Sequence, residues 1–119
     1  FCEKNSIKDL FESEFIAPFL NQCCGDLSGG EKRIIEILMI LNTSAKFILL
    51  DEPFNGISPI SKKGIVNMIR KKSVTKGIIL TDHDYHSILT VATEIKLISN
   101  GSIYNIKDKN QLAEYGYIR

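Results

Sequence analysis

Three short stretches of this 119-residue sequence pair chemically capable side chains with positions where α/β proteins build sites. The first is Leu27-Ser28-Gly29-Gly30-Glu31. Ser28 can accept a backbone N–H at a helix start, and Glu31, three residues on, can reach back to complete a capping box. The two glycines leave backbone N–H groups unshielded where the helix dipole supplies roughly half a positive charge. Such a turn can hold a phosphate or simply cap a helix, and its residues alone leave both readings open. The second stretch, Phe47-Ile-Leu-Leu-Asp51-Glu52-Pro53, ends an apolar run in two adjacent carboxylates. One carboxylate can hold Mg²⁺, often through water, and the other can orient an attacking water. Acidic residues also end strands merely to meet solvent. The third, Thr81-Asp82-His83-Asp84, follows another apolar run. A histidine there can donate a hydrogen bond to a phosphate, whereas Asp82 or Asp84 can cap the next helix.

The elements that must hold these residues follow from the apolar pattern. Ile7, Leu10, Phe11, Phe15, Ile16, Phe19 and Leu20 recur at helical spacings, with Pro18 as a break. A helix begins after Ser28, and Ile34, Ile35, Ile37, Leu38, Met39, Ile40 and Leu41 cover most of its faces, which predicts burial all round. Lys46–Asp51 and Gly77–Thr81 are continuous apolar runs, as expected of parallel strands buried on both faces. Between them the pattern predicts a turn-rich loop over Pro53–Pro59 and a helix over Ser61–Lys72, with Arg70-Lys71-Lys72 at its C-terminal end, where cations are favoured. A helix over Tyr85–Thr93 follows; His86 falls inside it and reads as a surface residue. Two strands, Glu94–Ser99 and Ser102–Ile106, are joined by Asn100-Gly101, a hairpin signal, and a short helix closes over Lys109–Tyr115. The order predicts an α/β fold with parallel central strands and a terminal β-hairpin.

Composition narrows the function classes. The chain is 44% hydrophobic and 24% charged, enough to bury a core. Fifteen basic against fourteen acidic residues give a net charge of +1, which argues against nucleic-acid binding through bulk charge. The apolar runs are far shorter than the roughly 20 residues of a membrane helix, and no leader pattern is visible, so a soluble protein is expected. Three cysteines, two of them the neighbours Cys23 and Cys24, fit a reducing cytoplasm better than a disulfide framework. Cys2, Cys23 and Cys24 are expected to pack as small apolar side chains.

In order and spacing, LSGGE at 27–31, FILLDEP at 47–53 and TDH at 81–83 resemble the motifs of the ATP-binding cassette (ABC) ATPases. Leu27–Glu31 is similar to their signature motif, and Phe47–Glu52 to their Walker B strand with its catalytic glutamate. Asn55–Pro59 lies at the D-loop position, and His83 matches the H-loop switch histidine. The wording DEPFNGISP is similar to the nucleotide-binding subunits of lipopolysaccharide exporters and branched-chain amino-acid importers. The resemblance implies the P-loop NTPase fold, with residues 1–44 as part of the helical subdomain and 45–119 as part of the RecA-like core. It implies ATP and Mg²⁺ as ligands and two ATPase subunits arranged head to tail. In that frame Ser28, Gly29, Gly30 and Glu31 bind the nucleotide held by the opposite subunit. Asp51 helps hold Mg²⁺, Glu52 activates water, and His83 contacts the γ-phosphate. The implied partners are a second ATPase subunit and transmembrane permease subunits, without nucleic acid, at the inner face of the cell membrane.

The departures are specific. No G-x-x-x-x-G-K-[ST] occurs: Gly25 and Gly30 have the right gap, but Glu31 follows instead of lysine. Too few residues precede Leu27 to hold a Q-loop, so the resemblance implies the C-terminal part of such an ATPase, inactive alone. Ser58 stands where the D-loop usually has aspartate. The competing expectation is a degenerate ABC-like module that binds partners and supplies the signature in trans.

Overall fold

The computed structural model describes residues 16–118. The helical periodicity read from Ile7 to Phe15 therefore lies outside the described residues. Ala17–Phe19 is a single 3₁₀ turn with Pro18 in it, and Cys24–Asp26 is a second. The chain divides into two compact units, the first ending at His83 and the second beginning at Asp84.

The first unit holds helix α1 (Gly29–Leu41), strand β1 (Phe47–Asp51), helix α2 (Pro59–Ser73) and strand β2 (Gly77–Thr81). Strands β1 and β2 pair in parallel and in register, from Phe47 opposite Gly77 to Asp51 opposite Thr81. Parallel neighbours need a long crossover, and α2 supplies it. At the end of α1, the buried Asn42 side-chain amide donates to the Leu38 carbonyl at 2.8 Å, alongside the Asn42 N–H, which reaches the same oxygen at 3.2 Å. Helix α2 starts at Ser58, whose Oγ accepts the Ser61 N–H at 3.3 Å, with Pro59 in its first turn. Arg70, Lys71 and Lys72 occupy its last turn, as the pattern implied.

Burial differs from the sequence expectation in three places. Helix α1 is buried on one face only: Ile34, Ile37, Leu38 and Leu41 are buried, while Met39 on the far side is exposed. Those four recur at i, i+3, i+4 and i+7, one helical stripe; α1 contacts α2 and β1. The strands are likewise covered on one face rather than two. Ile48 and Leu50 are buried, whereas Phe47 and Leu49 are 78% and 75% exposed and Ile79 on β2 is 65% exposed. Alternation along a strand sends Phe47, Leu49 and Ile79 to the same side, and among the described residues no layer covers it. The Phe47 ring instead lies over its register partner Gly77, where an added Cβ would come within 2.6 Å of it. Finally, Cys23 and Cys24 are exposed free thiols rather than packed side chains, because their turn projects into solvent ahead of α1.

The second unit comprises helix α3 (Tyr85–Val91), strands β3 (Ile95–Ser99) and β4 (Ser102–Ile106), and helix α4 (Lys109–Glu114). β3 and β4 form the expected antiparallel hairpin, with Ile95 opposite Ile106 and Ser99 opposite Ser102. Asn100 (φ 50°) and Gly101 (φ 74°) both take the left-handed conformation that a two-residue hairpin turn demands. A small core of Leu97, Ile106 and Leu112, flanked by Tyr85, Leu89 and Tyr104, holds this unit together. Asp84 caps α3 by accepting the Ser87 N–H at 3.2 Å, and His86 is exposed.

Leu38, fully buried on the α1 stripe, gives the fold's simplest test. Leu38→Ala is expected to lower unfolding free energy by about 2–5 kcal/mol in chemical denaturation.

Candidate functional site

Register decides the site. Because β1 and β2 end opposite each other at Asp51 and Thr81, the segments that follow emerge side by side. That edge, beyond the carboxyl ends of parallel strands, is where open α/β sheets bind ligands. The Thr81 hydroxyl donates to Asp51 Oδ1 at 2.5 Å, which orients the carboxylate and leaves it exposed at the strand end. Glu52 follows with φ 47°, a left-handed conformation that side-chain-bearing residues hold only where their surroundings fix it. Its N–H donates to the Thr81 carbonyl at 2.8 Å, and its own carbonyl accepts the Asn55 N–H at 3.2 Å.

This backbone turn aims Glu52 at His83: Nε2 lies 3.0 Å from Glu52 Oε1. Both side chains reach solvent, at 86% exposure for His83 and 41% for Glu52, so a ligand can meet both. On the other side of the turn, Asp82 accepts the Phe54 N–H at 2.9 Å. Phe54 and Pro53 are fully buried and anchor the segment. The loop following β2 is thus tied to the loop following β1 by a backbone bond, a side-chain bond and the Glu52–His83 contact.

The start of α1 is the second component. Ser28 Oγ accepts the Glu31 N–H at 3.3 Å, and the Ser28 N–H donates to Glu31 Oε2 at 2.7 Å. The predicted capping box is therefore complete on both sides. The backbone and side-chain bonds from Ser28 hold the Glu31 carboxyl below its ordinary value. A depressed carboxyl stabilises the fold above its unfolded-state pKa, and that contribution is lost as pH falls through the folded-state value. Gly30 is the residue that closes this turn against the rest of the molecule. A Cβ on it would stand 2.6 Å from the Gly56 carbonyl oxygen, whereas Gly29 has nothing within 4 Å. The α1 N-terminus therefore abuts the Asn55–Ser58 loop of the same chain.

A profile of the ABC transporter family matches residues 3–55. The lipopolysaccharide export system ATP-binding protein LptB of Escherichia coli (strain K12) is 36% identical over 102 residues, covering 83% of this chain and 40% of LptB. The chain belongs to the ABC transporter family. An ABC transporter ATP-binding protein of Pyrococcus abyssi is 40% identical over 79 residues, which is 66% of this chain and 30% of that protein. ABC transporter A family member 11 of Dictyostelium discoideum is 33% identical over 110 residues, 91% of this chain and 13% of its own. The chain thus spans well under half the length of these relatives. Among solved structures, an RNase-L Inhibitor chain shares the fold with a TM-score of 0.74 at 21% identity, covering 96% of this chain and 24% of that one.

Within the ABC family the departure at Ser58 has a local explanation. Ser58 caps α2, and serine and aspartate serve about equally well as N-caps. Of the residues singled out in the sequence, Asp51, Glu52 and His83 converge at one sheet edge, and Ser28–Glu31 form the α1 N-terminus beside Gly56. A 270 Å³ cleft between α1 and β1 is lined by Arg33, Glu36, Leu49 and Asp51, but not by Glu52 or His83. Among the described residues no three His, Cys, Asp or Glu side chains converge to cage a metal. One exposed, hydrogen-bonded carboxylate suits Mg²⁺, which keeps most of its waters and takes its other ligands from phosphates. Sequence reasoning missed Thr81 as the partner of Asp51, Asp82 as an acceptor for Phe54, and Arg33, whose guanidinium donates to the Asp51 and Glu52 carbonyls. Only strand register reveals the first two, and only the packing of α1 reveals the third.

The two glycines give opposite expectations. Gly30→Ala must displace the Gly56 backbone and should destabilise the chain by about 1–3 kcal/mol in thermal or denaturant unfolding. Gly29→Ala, with open space at that position, should be neutral or slightly stabilising.

Proposed function

We propose that this chain supplies the signature, Walker B and switch-histidine elements of an ATP-hydrolysing subunit that drives transport across a membrane. The single observation that carries this reading is the 3.0 Å contact between Glu52 and His83 at the ends of two paired parallel strands. In this role Glu52 accepts a proton from the attacking water, and His83, reaching the same point, donates to a γ-phosphate oxygen. Asp51, oriented by Thr81, holds Mg²⁺, which when bound neutralises charge on the phosphates. Ser28, Gly29, Gly30 and Glu31 present the positive end of α1 to the nucleotide of a second ATPase subunit arranged head to tail. The first unit then divides by role, residues 1–44 belonging to the helical subdomain and those from 45 on to the RecA-like core.

The proposed partners are that second subunit and transmembrane permease subunits, with the ATPase on the inner face of the membrane. Among the described residues no helix is long and apolar enough to cross a membrane. The relationship to proteins named as ATP-binding subunits, LptB included, supports the reading.

These 119 residues hold no lysine-bearing phosphate loop, so the backbone cradle for the β- and γ-phosphates must come from elsewhere. Steady-state phosphate release separates the possibilities. The purified chain is expected to show no Mg-ATP turnover above background, and the complete protein to hydrolyse ATP at roughly 1–10 per second. Turnover by the chain alone that disappears in Glu52→Gln would contradict this. Stimulation of another subunit's hydrolysis by the chain, with none of its own in any assembly, would favour a module that lends only its signature.

A further inference from the structure

Arg33 lies three residues after Gly30 on α1, and its guanidinium spans the peptide that joins the two carboxylates of the site. Nη2 donates to the Asp51 carbonyl and, at 3.3 Å, to the Glu52 carbonyl, while Nη1 pairs with Glu36 Oε2 at 2.7 Å. The Glu36 pair is the ordinary part, a half-exposed i,i+3 contact of small energetic consequence. The carbonyl contacts are another matter, because Glu52 is the residue held at φ 47°. Its carbonyl also takes the long turn bond from Asn55, at 3.2 Å. The Arg33 bond to that oxygen is as long, but its donor is charged, and a charged donor holds a carbonyl more strongly than a neutral one. Nη2 alone serves both carbonyls, and Nη1, held by Glu36, fixes the plane of the guanidinium, a second arm that a lysine ammonium lacks.

From this geometry we infer that Arg33 is a positioning residue for Glu52. It fixes the left-handed peptide that aims the carboxylate at His83. Because Arg33 rides on the helix whose first turn is Ser28–Gly30, it also ties that turn to the glutamate of the same chain. In a head-to-tail pair the two belong to different nucleotide sites. A shift of α1 on gripping one nucleotide is therefore transmitted to the water-activating group of the other. This inference rests on the ATPase reading above.

Two measurements test it separately. In the 119-residue chain, Arg33→Gln is expected to speed amide hydrogen exchange at Glu52 and Asn55 about tenfold, with the α2 core amides of Ile65 and Ile69 unchanged. Unchanged exchange at Glu52 and Asn55 overturns the clamp whatever the function. In the complete ATP-hydrolysing protein, Arg33→Gln should lower kcat by about ten- to a hundredfold with KM for ATP within about twofold, as expected when only the reacting group is misplaced. Arg33→Lys should recover part of that loss. A wild-type kcat in Arg33→Gln, or an equal rise in KM, overturns the positioning role while leaving the ATPase reading intact. If Arg33→Gln fails to fold, Arg33→Lys decides: a kcat reduced at unchanged KM supports the role, and an unchanged kcat overturns it. Complete wild-type protein without Glu52-dependent hydrolysis overturns the ATPase reading, and the catalytic role of Arg33 with it.

Discussion

The in-register pairing of β1 with β2 is the constraint on which the site depends, because it ends both strands at the same level. Asp51 opposite Thr81 brings Glu52 and His83, thirty-one positions apart in the chain, to within hydrogen-bonding distance. A slip of one residue along the pair would move Asp51 off the Thr81 hydroxyl. It would also turn Ile48 and Leu50 out of the core, so the burial of those two side chains enforces the register that the site needs. Chemistry and packing are therefore secured by the same five-residue ladder.

Around that ladder several of the polar contacts hold backbone. Asp82 takes the Phe54 N–H, Thr81 takes the Glu52 N–H through its carbonyl, and Arg33 reaches two carbonyls. Of the side chains proposed to meet nucleotide, His83 stays largely exposed and Glu52 partly so. Fixing the main chain while leaving the reactive groups open is what a site needs when its ligand arrives from solvent. The close approach of Gly30 to Gly56 extends the same logic to the α1 N-terminus, since backbone against backbone leaves no side chain free to relax.

Much of this was legible in the sequence because it depends on local chemistry. The capping box at Ser28 and Glu31, the left-handed Asn100-Gly101 turn and the cationic end of α2 are short-range features whose residues announce them. The parallel arrangement was legible from the uninterrupted apolar runs, and the motifs at 27–31, 47–53 and 81–83 pointed to the family. Burial was less so. Apolar composition marks a strand or helix as suited to burial, but Phe47, Leu49 and Met39 show that composition does not say which faces a neighbour covers. Arg33 was illegible for a similar reason: one arginine on a helix carries no mark of the carbonyls it meets eighteen and nineteen residues later. The sequence offered Asp82 or Asp84 as the cap of the helix that follows. The structure gives the α3 cap to Asp84 and leaves Asp82 to tie the two loops together.

If Glu52 and His83 act as a unit on ATP, as proposed, a double-mutant cycle on phosphate release by the ATP-hydrolysing protein will show it. Glu52→Gln, His83→Ala and the double variant would be compared at saturating Mg-ATP. Strong non-additivity is expected, the double variant losing little more than Glu52→Gln alone, with a coupling of more than about 1 kcal/mol. Losses that simply multiply would contradict it, since they would mean that the two side chains, though in contact, serve separate ends.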